Sequence, residues 1–268
     1  MEWDISLLVY GLAVGACAGV LAGFMAGVAG VGGGLVYVPV FYLLMPSIEG
    51  SAEGSMALAI FSSMVAIALT AGFSACSHWR LGHVNVKLFH YLWPSLLLGA
   101  SLGLWSALIL PELWILLALA ALNAWVAYDY GRSFESRALH KGIFSMLGIP
   151  IGYISGVLGI AGGTMLVPLL RRFLTLKDAV GTSAMCGAVM VALAVIFNLL
   201  GESGWQKLLQ GQWLFLLATW TGLLFTMPLA ARKSATWHDK LQEKHLRIML
   251  KSMFSLIAIM FCVIAWLK

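Results

Sequence analysis

No lysine or arginine precedes Arg80, and charged residues make up only 10% of the 268-residue chain. A soluble domain would carry about a quarter charged residues. With 61% hydrophobic residues and a mean hydropathy of +0.94, the sequence excludes an ordinary soluble fold. The missing basic residues near the acidic start, Met1-Glu2-Trp3-Asp4, leave no n-region for a cleavable signal peptide, so the first apolar span is expected to be retained. Period-two alternation is absent and the apolar runs are too long for barrel strands, which argues against a β-barrel. No polar stretch is long enough for a soluble domain; the longest runs from about Arg232 to Arg247. The four cysteines, Cys17, Cys76, Cys186 and Cys262, are scattered through apolar runs without metal-ligand spacing and read as small hydrophobes. No metal site or cofactor is expected.

What the chain does have is long apolar segments: 5–45, 55–77, 88–110, 113–130, 142–174, 181–200, 211–230 and 248–267. A membrane helix needs roughly 20 apolar residues to cross a core of about 30 Å. The net charge of +5 is distributed as membrane topology rather than as a nucleic-acid surface. Placing residues 78–87 in the cytoplasm and threading outward puts 14 of the 16 Lys and Arg inside, all but Lys207 and Lys268. The loops 46–54 and 201–210, the Pro111-Glu112 step and both termini then fall outside.

This threading constrains the two longest segments. Neither end of 5–45 carries a basic residue, so both ends lie outside; Lys141 and Arg171 flank 142–174, so both of its ends lie inside. Each segment therefore enters and leaves on one side. At 1.5 Å per residue, 142–174 reaches about 50 Å, short of the roughly 60 Å that two crossings need, so one arm is short or broken.

The same two segments are related. Gly23-Phe-Met-Ala-Gly-Val-Ala-Gly-Val-Gly-Gly-Gly-Leu-Val-Tyr-Val-Pro39 aligns without gaps to Gly152-Tyr-Ile-Ser-Gly-Val-Leu-Gly-Ile-Ala-Gly-Gly-Thr-Met-Leu-Val-Pro168, with eight of 17 positions identical. A weaker echo pairs Gly54-Ser55 with Gly181-Thr182-Ser183. The expected fold is all-α and polytopic, with about 8–10 membrane segments. A first repeat (1–130) and a second (142–268) each contain a glycine-broken hairpin and three helices, joined by a cytoplasmic linker, 131–141. An even hairpin plus three crossings inverts the second repeat relative to the first. Inverted repeats with paired interrupted helices point to a transporter with a site near the midplane.

The doubled G-[VI]-[GA]-G-G motif followed by an apolar stretch and Pro, together with Ala179-Val180-Gly181-Thr182-Ser183, resembles the sulfite exporter TauE/SafE family, the TSUP transporters. Size and hydropathy fit over essentially the whole chain. The resemblance implies movement of small sulfur-containing or organic anions, such as sulfite, sulfoacetate or other sulfonates, across the cytoplasmic (inner) membrane. The first half departs from the pattern: Glu53-Gly54-Ser55-Met56 stands where the second has Val180-Gly181-Thr182-Ser183, so one hydroxyl is missing.

Candidate substrate-binding residues follow from the breaks. Gly32, Gly33 and Gly34, and Gly162, Gly163 and Thr164, unwind the helix and leave backbone N–H groups that a cavity or an anion must satisfy. The positive end of the following helix favours an anion there, and Thr164 offers a hydroxyl donor. Close packing is the alternative for these glycines and the stronger reading for Gly11, Gly15, Gly19, Gly23 and Gly27, a four-residue zipper. Ser55, Thr182 and Ser183 sit near helix starts, where they would cap a helix or donate to an oxyanion. Asn198 and Asn123 lie deep in apolar runs, as interhelical bonds or as ligands. Arg171 and Arg172 would attract anions at the inner mouth, or serve topology and lipid headgroups. No Asp, Glu, Lys or Arg lies at the centre of a span. His78, His83 and His90 read as a solvated face. Trp3, Trp114, Trp205, Trp213 and Trp266 outside, and Trp79 and Trp237 inside, form an aromatic belt.

A secondary transporter of a small anion is the leading function. A passive channel or the membrane subunit of a multi-component permease is the alternative, since no ATP-binding loop is present. A membrane enzyme is disfavoured: Ser155 has no core histidine as partner, and no HExxH spacing exists. The expected partners are a small anion and membrane lipid, without nucleic acid; the zipper packs within one chain or between two in a homo-oligomer.

Overall fold

The computed structural model describes residues 5–29, 33–45, 52–129, 141–171, 173–201, 204–238 and 243–268. Among these the chain forms eleven helices: α1 (Ile5–Ala29), α2 (Gly34–Leu44), α3 (Ala52–Arg80), α4 (Val86–Ser106), α5 (Glu112–Asp129), α6 (Lys141–Leu158), α7 (Gly163–Leu170), α8 (Leu176–Leu200), α9 (Trp205–Leu209), α10 (Trp213–His238) and α11 (Glu243–Leu267). Four regions, Ile5–Met25, Ser55–Arg80, Lys177–Leu200 and Trp213–Lys233, are long and apolar enough to cross a membrane. Both glycine-rich segments break where the glycines predict. Their second arms are short: the 11 residues of α2 and the eight of α7 reach about 16 and 12 Å, roughly half the hydrocarbon core or less.

The helices of the two halves interleave. α1 packs along α10 and α4 along α6, α3 crosses α8, α5 lies against α11, and α2 and α7 rest on α3 and α8. Exchanging α1–α5 for α6, α7, α8, α10 and α11 swaps α1–α10 with α4–α6 and α2–α3 with α7–α8, and maps α3–α8 and α5–α11 onto themselves. Glycine makes the two tightest contacts possible. A methyl group on Gly15 would fall 1.8 Å from the Thr219 carbonyl oxygen, and one on Gly23 would fall 2.4 Å from that of Met227. Across the other pair, a methyl on Gly152 would meet the Leu96 carbonyl at 2.2 Å, and one on Gly103 that of Tyr153 at 2.3 Å. Residue numbers rise together along both pairs, so α1 runs parallel to α10 and α4 to α6. The zipper at Gly11, Gly15, Gly19 and Gly23 is therefore a packing seam inside one chain. The surroundings of Gly27 lie outside the described residues.

Side-chain pairs define two opposite faces. On one, Tyr42 at the end of α2 donates to Glu112 at 2.5 Å, Lys268 pairs with the same carboxylate, and Tyr10 near the start of α1 donates to the Leu44 carbonyl at 2.6 Å. Burial works against the Lys268 charge, but Glu112 and Tyr42 outweigh it and hold the ammonium pKa above the ordinary lysine value. On the opposite face lie the exposed Arg80, Lys87, Arg171, Lys177, Arg232 and Lys233, at the matching ends of α3, α4, α7, α8 and α10.

Candidate functional site

Between these faces the two breaks meet. A methyl on Gly34 would lie 2.6 Å from the Ala161 nitrogen, so the first break sits against the second. α3 lines both: Ile67 touches Gly34, Ile60 touches Gly159, and the Ser63 hydroxyl donates to the Gly159 carbonyl at 2.5 Å. Gly159 turns the chain with a φ of 62°, which glycine adopts without a Cβ penalty. α7 then starts at Gly163. Thr164, Met165 and Leu166 donate back to Ala161 and Gly162, whereas the N–H groups of Gly162 and Gly163 donate to no carbonyl among the described residues. These are the orphan donors of a helix start, and they carry its partial positive charge.

Two further donors crowd the same point. The Ser155 oxygen lies 3.6 Å from the position of a Cβ on Gly162, and the Ser183 oxygen 3.5 Å from that of a Cβ on Gly163. Both serines are buried, at 0% and 1% exposure, and neither hydroxyl has a hydrogen-bond partner. Buried polar groups are normally paired, so two unpaired hydroxyls beside two unpaired amides are a concentrated deficit of acceptors. A group that accepts hydrogen bonds would satisfy these donors. The first break differs. By the repeat alignment Ala26, Leu35 and Met56 stand where Ser155, Thr164 and Ser183 stand in the second half.

The other sequence candidates are placed as follows. Thr164 is buried beside these groups, but its hydroxyl proton goes to the Ala161 carbonyl at 3.2 Å. α8 begins earlier than expected and is capped by Thr175, which accepts from the Asp178 amide; Thr182 and Ser183 therefore lie inside the helix. Thr182 accepts from the Asn85 amide at 2.9 Å and ties the α3–α4 connection to α8, where His83 also faces Asp178 at 3.6 Å. Ser55 lies within the first turns of α3, half-buried. Asn198 donates to the carbonyls of Ser101 on α4 and Ala194. It stands about 22 Å along α8 from Ser183 at 1.5 Å per residue, so the structure does not bring it to the breaks. Arg171 is exposed at the end of α7. Gly32 and Arg172 lie outside the described residues. Trp205, expected in the outer belt, is instead fully buried on α9, while Trp114, Trp213, Trp266 and Trp79 are exposed.

Three contributors went unread in the sequence: Ser63, Ser155 as a donor, and Ser62, which accepts from the Trp220 indole at 3.2 Å. Adjacent serines in the middle of an apolar span were the available signal for Ser62 and Ser63. Among the described residues the Ser155 hydroxyl has no hydrogen-bond partner.

Apolar helices of membrane-spanning length, wrapped around two interrupted hairpins, define a polytopic integral membrane protein. Its family follows from comparison: the chain belongs to the sulfite exporter TauE/SafE family, whose model matches residues 15–261. It is 30% identical over 200 residues to a probable membrane transporter protein of Haemophilus influenzae, covering 72% of this chain and 74% of that one. It is 24% identical over 218 residues to the probable membrane transporter protein YjnA of Bacillus subtilis, covering 73% and 79% respectively. No solved structure is significantly similar. The protein is thus a membrane transporter of the TauE/SafE type.

Proposed function

We propose that this protein is a secondary transporter that carries a small sulfur-containing or organic anion, of the sulfite, sulfoacetate or sulfonate type, across the cytoplasmic membrane. The anion binds at the second helix break, near the midplane. The observation that carries this reading is the set of four unpaired donors: the amides of Gly162 and Gly163 and the hydroxyls of Ser155 and Ser183. A compact oxyanion held by neutral donors needs no fixed cation, which accords with the absence of Lys and Arg from the span centres. The interleaved packing supports a repeat of the two halves, since exchanging their helices leaves the set of contacts unchanged. With basic residues clustered on the Arg80 face, that face reads as cytoplasmic, and the face of Glu112 and Lys268 as external.

Purified protein in liposomes should take up sulfite, sulfoacetate or methanesulfonate saturably and show counterflow. Flux that rises linearly without counterflow would indicate a channel. Movement of a cation or a neutral solute in place of every anion tested would overturn the proposal.

A further inference from the structure

Met190 meets the second break without offering it a donor. A methyl group on Gly162 would lie 3.4 Å from the Met190 Cε and 3.9 Å from its Sδ, with the Ser155 oxygen at 3.6 Å from the same point. The space at Gly162 is therefore bounded by a hydroxyl and by a thioether. Met190 is fully buried on α8, two turns beyond Ser183, whose oxygen lies 3.5 Å from the position of a Cβ on Gly163. Residues seven apart share one helix face, and a long side chain leans back toward the helix start. One face of α8 thus brings a hydroxyl to Gly163 and an apolar end to Gly162. The repeat does not account for Met190. Aligning Gly54-Ser55 with Gly181-Thr182 places Ser63 at the same position of the first half, and the Ser63 hydroxyl donates to the Gly159 carbonyl. The first half uses that position to tie down the break; the second leaves a methyl group and a sulfur beside it. A thioether has no hydrogen to donate and is only a weak acceptor.

We propose that Met190 is a specificity-determining residue: its thioether end takes the carbon-bearing side of the anion, so that the site prefers a small alkylsulfonate to sulfite. The inference rests on the reading of the second break as an anion site and narrows the substrate class of that site. The amides of Gly162 and Gly163 and the hydroxyls of Ser155 and Ser183 address oxygens. Against Met190 an oxygen lies without a hydrogen bond and bears its desolvation cost. A methyl or methylene group in the same place leaves water and gains dispersion contact. Sulfite has a lone pair where a sulfonate has carbon, so it has nothing apolar to set there. The unbranched, flexible end of methionine adapts to a methyl or an ethyl group alike.

The test is calorimetry on the full chain in detergent micelles with methanesulfonate, ethanesulfonate and sulfite, at mildly acidic pH where all three are monoanions. The wild type is expected to bind both sulfonates at least about tenfold more tightly than sulfite, the discrimination an apolar pocket makes for one carbon. Met190→Leu keeps an apolar end and should keep that preference. Met190→Gln puts an amide of similar size in its place and should lose it, through weaker sulfonate binding with sulfite binding unchanged or tighter. Melting curves identify the folded variants, and Met190→Ser, which copies the first half, replaces Met190→Gln if that variant does not fold. The wild-type preference is read without any variant. Equal or tighter binding of sulfite by the wild type, or a preference that survives in Met190→Gln, would overturn the role of Met190 and leave the anion site standing. Absence of binding by any of the three anions to the wild type would overturn both together.

Discussion

A methyl group added at Gly163 would touch nothing closer than the Ser183 oxygen at 3.5 Å, and one added at Gly162 would meet only Met190 and Ser155 at 3.4 Å and beyond. The same addition at Gly34 would fall 2.6 Å from the Ala161 backbone. The fold therefore tolerates alanine at Gly162 and Gly163 and not at Gly34. Gly163→Ala and Gly162→Ala should purify with wild-type yield and melting temperature yet lose at least about tenfold in anion affinity, because the methyl occupies the space the oxyanion needs. Gly34→Ala should lower the melting temperature, since backbone must move to admit it. Ser155→Ala and Ser183→Ala separate function from stability in the same way. Removing an unpaired buried hydroxyl does not destabilise, and it relieves a desolvation cost of about 1–3 kcal/mol. Both variants should melt at or above the wild-type temperature while binding the anion more weakly. A fall in stability with unchanged binding would make these serines structural. The breaks were legible because clustered glycines interrupt an apolar helix. Ser155 was not, because its importance lies in having no partner, a property of the folded neighbourhood.

At the scale of elements, the seams α1–α10 and α4–α6 carry the packing. Gly15→Ala and Gly152→Ala each push a methyl to within about 2 Å of a facing carbonyl. Each should cost about 1–3 kcal/mol or more by overpacking, read as a lower thermal midpoint or as loss of folded protein in detergent. Gly211→Ala differs, because a methyl there meets nothing within 4 Å and the penalty is the left-handed backbone alone, about 1–2 kcal/mol. The broken hairpins and most helices were legible from the length of the apolar runs, their glycines and the charged breaks between them. α9 was not: five residues carry too little pattern, and a tryptophan near a span end fits a belt as well as a buried contact. The partners of the seams were equally hidden. A four-residue glycine spacing announces a close contact and says nothing of the helix, some 200 residues away in sequence, that fills it.

For the whole molecule, both described ends of the chain lie on the Glu112 face, and the exposed cations at the ends of α3, α7, α8 and α10 lie on the other. In a background with all four cysteines replaced, single cysteines at Lys207 or Lys268 should react with a membrane-impermeant thiol reagent on intact cells. Cysteines at Arg80, Lys177 or Lys233 should react only after permeabilisation, and the reverse pattern would invert the orientation. The Glu112–Lys268–Tyr42 cluster clasps α2, α5 and α11 on that face. Glu112 is buried, so Lys268→Ala strands its charge and should destabilise more than Lys268→Ala combined with Glu112→Gln. Because the Lys268 pKa is raised in the folded protein, the clasp contributes below the ordinary lysine value of 10.5 and is lost only as pH rises beyond it. The grouping of basic residues on one face was readable from charge alone, whereas the clasp joins residues 156 positions apart that no local pattern connects.

The account turns on an anion held by the donors of the second break. Its most direct test is the affinity of the purified wild type and of Gly163→Ala for sulfoacetate, methanesulfonate and sulfite, measured side by side with their melting curves. The account predicts that at least one anion binds the wild type and binds Gly163→Ala at least about tenfold more weakly, with superimposable melting curves. Equal affinity in the two folded proteins would place the site elsewhere and contradict it.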